Sequence, residues 1–216
     1  MTALGRGFKK PVLPVIVDCG IGNLGSVVNM LKKIGVKAAV SSDPSVIAAA
    51  DKLLLPGVGA FDAGMDALNK SGLIPLLNRK VLTEKTPILG ICLGMQLLTR
   101  KSEEGALPGL GWVKGETVRF DFPGRADLKV PHMGWNRVSV KQESPLFLQM
   151  PEDPRFYFVH SYHVVCEDPT DVAATTPYGL DFTSAVSKGN IHGVQFHPEK
   201  SHKFGMKLLE NFVTGA

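Results

Sequence analysis

Pro87-Ile88-Leu89-Gly90-Ile91-Cys92-Leu93-Gly94-Met95-Gln96-Leu97-Leu98 passes from an apolar, strand-like run, through a cysteine set between two glycines, into a helix-like run. Glycines on both sides permit a sharp, strained backbone that pushes one side chain out at the end of a strand. With the helix starting at Met95, the sulfur falls near a helix N-terminus, where the macrodipole favours thiolate over thiol. By itself a cysteine in such a turn is more often a small buried hydrophobe. Cys19 and Cys166 have no comparable surroundings.

His197-Pro198-Glu199, near the other end of the chain, shifts the balance. Pro198 biases His197 toward extended backbone. Residues two apart in an extended segment point the same way, so Glu199 is expected beside the imidazole. A nucleophile (Cys92), a base (His197) and an acid that orients the base (Glu199) make a Cys-His-Glu triad.

Outward from the elbow, strand-like and helix-like segments alternate through the first half. Residues 12–17 read as a strand, followed by a glycine-rich turn and a helix through Val27, Val28, Leu31 and Ile34. Residues 36–40 read as a strand, 46–50 as a short helix, 52–55 as a strand ended by Pro56-Gly57-Val58-Gly59, 65–77 as a helix, and 86–89 as the elbow strand. This βαβ alternation with continuously apolar strands predicts an α/β fold: a central, mostly parallel sheet covered by helices on both faces. In such sheets chemistry gathers at the carboxyl ends of the strands. Residues 110–195 carry short strand-like pieces between Pro, Gly and Asp, the clearest being 156–159 and 191–196. The last segment reads as a helix with Ser201 as its cap and Phe204, Leu208, Leu209 and Phe212 as its apolar stripe.

A chain of 216 residues fits one domain with a substantial core. No apolar run approaches the roughly 20 residues of a membrane span. Residues 1–10 are polar, basic and free of the apolar stretch of a secretory signal, and are expected to be a ragged extension preceding a domain over 11–216. Arg6, Lys9 and Lys10 supply three of the four net positive charges, leaving +1 for the rest, so no nucleic-acid footprint is expected. Three cysteines without framework spacing point to reduced thiols and a cytoplasmic protein. Gly20-Ile21-Gly22-Asn23-Leu24-Gly25 formally fits a dinucleotide fingerprint, with Asp43 near the ribose position. No hydride-transfer site accompanies it, and an exposed loop at the edge of the active site suits it better. His160 and His163 lack an acid or thiol partner for a metal, and neither metal nor cofactor is expected.

The elbow and the distal His-Pro-Glu resemble the class I (triad) glutamine amidotransferases. More narrowly, Asp18-Cys19-Gly20-Ile21-Gly22-Asn23-Leu24, Leu55-Pro56-Gly57-Val58-Gly59, Pro131-His132-Met133-Gly134-Trp135-Asn136, Tyr157-Phe158-Val159-His160-Ser161-Tyr162 and Gln195-Phe196-His197-Pro198-Glu199-Lys200-Ser201 look like the glutaminase subunits of imidazole glycerol phosphate synthase. The resemblance runs from about Val12 to the C-terminus and implies the three-layer flavodoxin-like fold of that class, with extra short strands in the second half. It implies that Cys92 attacks the side-chain amide of L-glutamine, forms a thioester and releases ammonia, with His197 moving the protons and Glu199 fixing its tautomer. Backbone N–H groups of Leu93 and of Val58 or Gly59 are the expected oxyanion donors, although Pro56 to Gly59 is otherwise a plain strand-ending turn. Gly57 is expected to let that loop approach the substrate. Gln96, one helical turn beyond Cys92, either reaches the substrate's α-groups or faces solvent. Ser161 and Tyr162 match backbone contacts to the substrate.

The amidotransferase unit fills the chain, so the ammonia needs a separate consumer. The resemblance makes that partner a (β/α)₈-barrel cyclase in a heterodimer, acting in histidine biosynthesis. Asn23, Trp135, Tyr157 and Lys200 match its partner-facing positions. Trp135 is either an interface anchor or core packing, and Lys200 either an interfacial ion pair or a solvated charge. The competing expectation is another triad amidotransferase subunit or cysteine hydrolase of the same fold.

Overall fold

A computed structural model describes residues 12–215. The extension expected over residues 1–10, and the outermost residues 11 and 216 of the expected domain, lie outside them. The first half runs β1 (Pro14–Val17), α1 (Leu24–Lys33), β2 (Ala39–Ser41), α2 (Pro44–Ala48), β3 (Lys52–Gly57), α3 (Phe61–Ser71), α4 (Ile74–Asn78), β4 (Ile88–Cys92) and α5 (Leu93–Gln96). β5 (Gly115–Arg119), β6 (His132–Arg137), β7 (Ser139–Val140), β8 (Arg155–His160), β9 (Tyr162–Cys166), β10 (Val172–Tyr178), β11 (Leu180–Lys188), β12 (Ile191–Val194) and α6 (His202–Gly215) follow.

The sheet order is β2-β1-β3-β4-β12-β11-β10-β7, parallel from β2 to β12 and antiparallel beyond. β9 branches from β11 and pairs with β5, while β6 and β8 form a separate two-stranded sheet. Every residue of β1, β3, β4 and β12 is buried. Alternation divides their side chains between two cores. Ile16, Leu54, Leu89 and Ile91 meet Val27 and Leu31 of α1 and Leu208 and Phe212 of α6. Val15, Val17, Leu53 and Leu55 meet Phe61, Met65 and Leu68 of α3 and Leu77 of α4. Continuous apolar strands therefore mean burial on both faces, giving three layers.

Several boundaries differ from the sequence reading. The helix expected over 65–77 is two helices, because Gly72 adopts a left-handed φ of 69° and stops α3. The strand at 52–55 continues through Pro56 and Gly57. Pairing with β1 ends at Leu54, so Pro56 lies where β3 has a single neighbour, and the missing N–H is tolerated there. The elbow strand runs to Cys92, and the helix after it lasts only one turn. Ser201 does not cap α6 with its side chain: its hydroxyl accepts from Tyr157 N–H (3.0 Å) and donates to the His197 carbonyl (2.6 Å). Among the described residues, no helix is long and apolar enough to cross a membrane.

Candidate active site

Cys92 is the last residue of β4, with φ 55° and ψ −112°. For a side-chain-bearing residue this is a strained backbone, held here by its neighbours. A Cβ on Gly94 would stand 1.7 Å from the Leu55 carbonyl oxygen, and one on Gly90 2.6 Å from the Gly94 oxygen. Both glycines are thus demanded by close backbone approach, which folds the chain back over β3 and presents the sulfur at the carboxyl edge of the sheet. Gly57, opposite Cys92 in the β3–β4 register, serves the same packing: its Cβ would lie 3.0 Å from Gly94 N and from Leu93 Cβ. Its place is behind the elbow, outside the lining of the cavity described next.

A cavity of about 360 Å³ opens over the sulfur, within the range of small-molecule sites. Val58 and Gly59, Gln96, Ser161 and Tyr162, His197 and Lys200 all line it. Leu93, expected as an oxyanion donor, is buried directly after the nucleophile at the start of α5. Gly59 has φ 105°, a conformation that requires glycine, and Val58 beside it is exposed.

His197 Nδ1 lies 2.7 Å from Glu199 Oε1, and both side chains are almost completely buried. The geometry is not the simple extension expected from sequence: a 3₁₀ turn, Pro198–Lys200, follows His197 and carries the carboxylate round to the imidazole. His197 N–H donates to the Tyr157 carbonyl (2.9 Å), so β8 and the Ser201 hydroxyl fix the turn. Burial opposes a charge on His197, but the neighbouring Cys92 sulfur, then the Glu199 carboxylate, outweigh it and push its pKa up to about 9. His197 Nε2 and Glu199 Oε2 are buried without an aligned hydrogen-bond partner in the resting site. Sulfur and imidazole are close enough to interact electrostatically but not yet tightly bonded, as in many unliganded catalytic pairs. Because α5 is one turn long, its dipole is small.

Gln96 is 5 % exposed, which removes the solvent-facing alternative. Its amide N–H groups go to the Tyr162 carbonyl (3.2 Å) and Gln195 Oε1 (3.1 Å), leaving its oxygen for the cavity. Tyr162 therefore contributes its carbonyl to holding Gln96. Glu104, which the sequence reading missed, also lines the cavity. Its Oε2 accepts from Phe61 N–H (2.8 Å) at the start of α3. Asp62 binds the N–H groups of Ala106 (2.9 Å) and Leu107 (3.0 Å), fastening the same loop. No local pattern marks this glutamate, because its place depends on a loop tied to a distant helix.

The four residues matched to a partner face are surface-accessible to different degrees. Trp135 is 47 % exposed, so core packing is excluded. Its ring stacks on His202 (5.4 Å, 6°) and meets Tyr157 edge-on (6.3 Å). The Lys200 ammonium lies 5.6 Å above the Tyr157 ring. Asn23 is exposed, and its Oδ1 caps α1 by accepting from Ser26 N–H (3.3 Å). Gly22 beside it packs toward the Pro56 carbonyl, placing the glycine-rich loop next to the turn at Val58. Asp43 is accounted for as the cap of α2, accepting from Ser45 N–H and Oγ at 2.7 Å each. His160 pairs with His132 (3.0 Å), and His163 stacks on Phe120 (4.6 Å).

Comparison with known proteins places the chain in a family. The profile of the family described as glutamine amidotransferase class-I matches residues 15–216. "Imidazole glycerol phosphate synthase subunit HisH 2" of Methanococcus maripaludis is 57 % identical, over 93 % of this chain and 98 % of that protein. The protein of the same name in Pseudomonas aeruginosa is 54 % identical, over 92 % and 98 %. Among solved structures, PurLQS of Thermotoga maritima matches in fold with a TM-score of 0.70 at 18 % identity, covering 94 % of this chain and 98 % of that one. The chain belongs to the class-I glutamine amidotransferases and, within them, to the family of imidazole glycerol phosphate synthase HisH subunits.

Proposed function

We propose that the domain, from residue 11 onward, hydrolyses L-glutamine in the cytoplasm and passes ammonia to a (β/α)₈-barrel cyclase subunit. Cys92 Sγ attacks the carboxamide carbon, and the oxyanion is met by N–H groups of Leu93 and of Val58 or Gly59. His197 delivers its proton to the leaving nitrogen as the C–N bond breaks, which frees ammonia and leaves a γ-glutamyl thioester. Water then attacks with His197 as base; glutamate leaves and the sulfur is restored. Glu199 holds the imidazole through Nδ1. The Gln96 oxygen, Ser161, Tyr162 and the Glu104 carboxylate surround the α-ammonium and α-carboxylate ends of the substrate, while Gly57 supports the elbow.

The observation that carries this reading is the strained Cys92 elbow opening into the cavity that His197, held by Glu199 at 2.7 Å, also lines. Trp135, Tyr157, Lys200 and Asn23 form the docking face, with Trp135 as its aromatic anchor. Glutamate and ammonia formation, measured with and without the cyclase and its ligand, tests the reading. Weak basal turnover, stimulation by the cyclase and loss of both in Cys92→Ala are expected. Stimulation instead by an aminobenzoate or nucleotide synthase subunit contradicts it.

A further inference from the structure

Gln195 has no role in the chemistry described so far, yet it is fully buried just beyond β12, two residues before His197. Its Nε2 lies 3.8 Å from Cys92 Sγ. The orientation of this amide is dictated by a chain of groups whose roles leave no freedom. The Tyr162 carbonyl only accepts, so the Gln96 group facing it is the NH₂, and His160 Nδ1 at 2.8 Å carries a proton. The second hydrogen of the Gln96 NH₂ needs an acceptor, which Gln195 supplies as Oε1 at 3.1 Å. The other end of the Gln195 amide, turned toward the sulfur, must then be its NH₂.

The same logic runs outward. His160 Nε2 is unprotonated and accepts from His132 Nδ1 at 3.0 Å. His132 Nε2 accepts in turn from Asn136 Nδ2 at 3.3 Å, whose remaining hydrogen goes to the Pro177 carbonyl at 2.8 Å. Burial lowers the pKa of both imidazoles, to about 4 for His132 and about 3 for His160, which keeps them neutral as these bonds require. Gln195 is therefore clamped with a donor aimed at the nucleophile and, among the described residues, no competing partner for that donor. A thiol is a weak acceptor, whereas a hydrogen bond to an ionised acceptor is roughly twice as strong as a neutral one.

We propose that Gln195 is a catalytic residue whose carboxamide N–H donates to the Cys92 sulfur and favours the thiolate, both before attack and when the thioester is hydrolysed. The proposal rests on Cys92 being the nucleophile. In the complete synthase, Gln195→Glu keeps the acceptor for Gln96 and removes the donor to sulfur, and Gln195→Met removes both. Cys92 alkylation by iodoacetamide, followed by mass spectrometry across pH, reads the sulfur directly. Both variants are expected to react about tenfold more slowly near pH 7, with the pH profile displaced upward and kcat reduced; glutamine KM stays nearly unchanged in Gln195→Glu, where Gln96 keeps its acceptor. Wild-type alkylation rates and profile in Gln195→Glu overturn the proposal, whatever happens to turnover. In the unmutated chain, the Gln195 side-chain ¹⁵N resonance is expected to move when Cys92 is capped by methylthiolation; a resonance that stays fixed also overturns it. A wild-type Cys92 that never reacts with a glutamine-analogue electrophile removes the nucleophile reading itself, a distinct result.

Discussion

At Cys92 the chain accepts a backbone that glycine would adopt freely, at a cost of order 1–3 kcal/mol. Comparing two substitutions exposes that cost. At most strand positions alanine is more stable than glycine; here Cys92→Gly is expected to exceed Cys92→Ala by about 1 kcal/mol in urea unfolding. The ordinary order, alanine above glycine, contradicts a strained elbow. His197 gives a second residue-level test. With its pKa raised to about 9, it is an imidazolium at neutral pH and loses that proton as pH rises through about 9. Proton delivery to the leaving nitrogen should fade over the same window. Imidazole NMR should find a midpoint near 9 in the native chain and a lower one in Cys92→Ala, because the first of the groups opposing the burial penalty is gone. An unchanged midpoint would mean that sulfur and imidazole do not interact.

Elements were legible where periodicity carries physics and less so where tertiary contact decides. The runs in β1, β3 and β4 read as doubly buried strands, because short, continuously apolar segments alternating with helices suit a parallel sheet covered on both faces. The elbow was legible because it needs glycines; the meeting of His197 and Glu199 was legible too, but through extended backbone, where the structure uses a 3₁₀ turn. Glu104 and Gln195 were not, since their positions depend on loops and strands far away in sequence. The length of α5 also escaped, for Leu97 and Leu98 look helical until the Leu110 and Val113 N–H groups take the carbonyls of Leu97 and Leu98. At this scale the tightest constraint is the contact between α5 and β3. Gly94→Ala would drive a methyl group into the Leu55 carbonyl and force the two elements apart. A loss of more than about 3 kcal/mol in unfolding free energy is expected, well beyond an ordinary glycine replacement. A change under 1 kcal/mol would show the approach to be looser than described.

Across the molecule, the sheet's carboxyl edge gathers the Cys92 elbow, the Val58 turn and the His197 turn, while the antiparallel second half supplies the wall that orients them. That wall contains buried neutral histidines, and they make the whole fold acid-sensitive. Burial holds His132 and His192 at about 4 and His160 at about 3, against 6.5 for a free histidine. The unfolded chain therefore binds more protons than the native one between these values. The stability these three histidines contribute is complete above about pH 6.5 and falls as pH drops toward 4, by up to about 1.4 kcal/mol per unit for each, whereas the raised His197 contributes below about pH 6.5 and loses its share as pH rises toward 9. Urea midpoints at about pH 7 and pH 5 should show the loss, and His192→Asn should lessen it; equal midpoints would contradict it. The central claim is that one sulfur, set on the elbow and served by His197, carries the chemistry. Its most direct measurement is mass-spectrometric mapping of the adduct formed by an electrophilic glutamine analogue on the assembled synthase. A single adduct on Cys92, suppressed by excess glutamine and nearly absent in His197→Ala, is the expected result. Labelling of Cys19 or Cys166 with Cys92 left unmodified would contradict it.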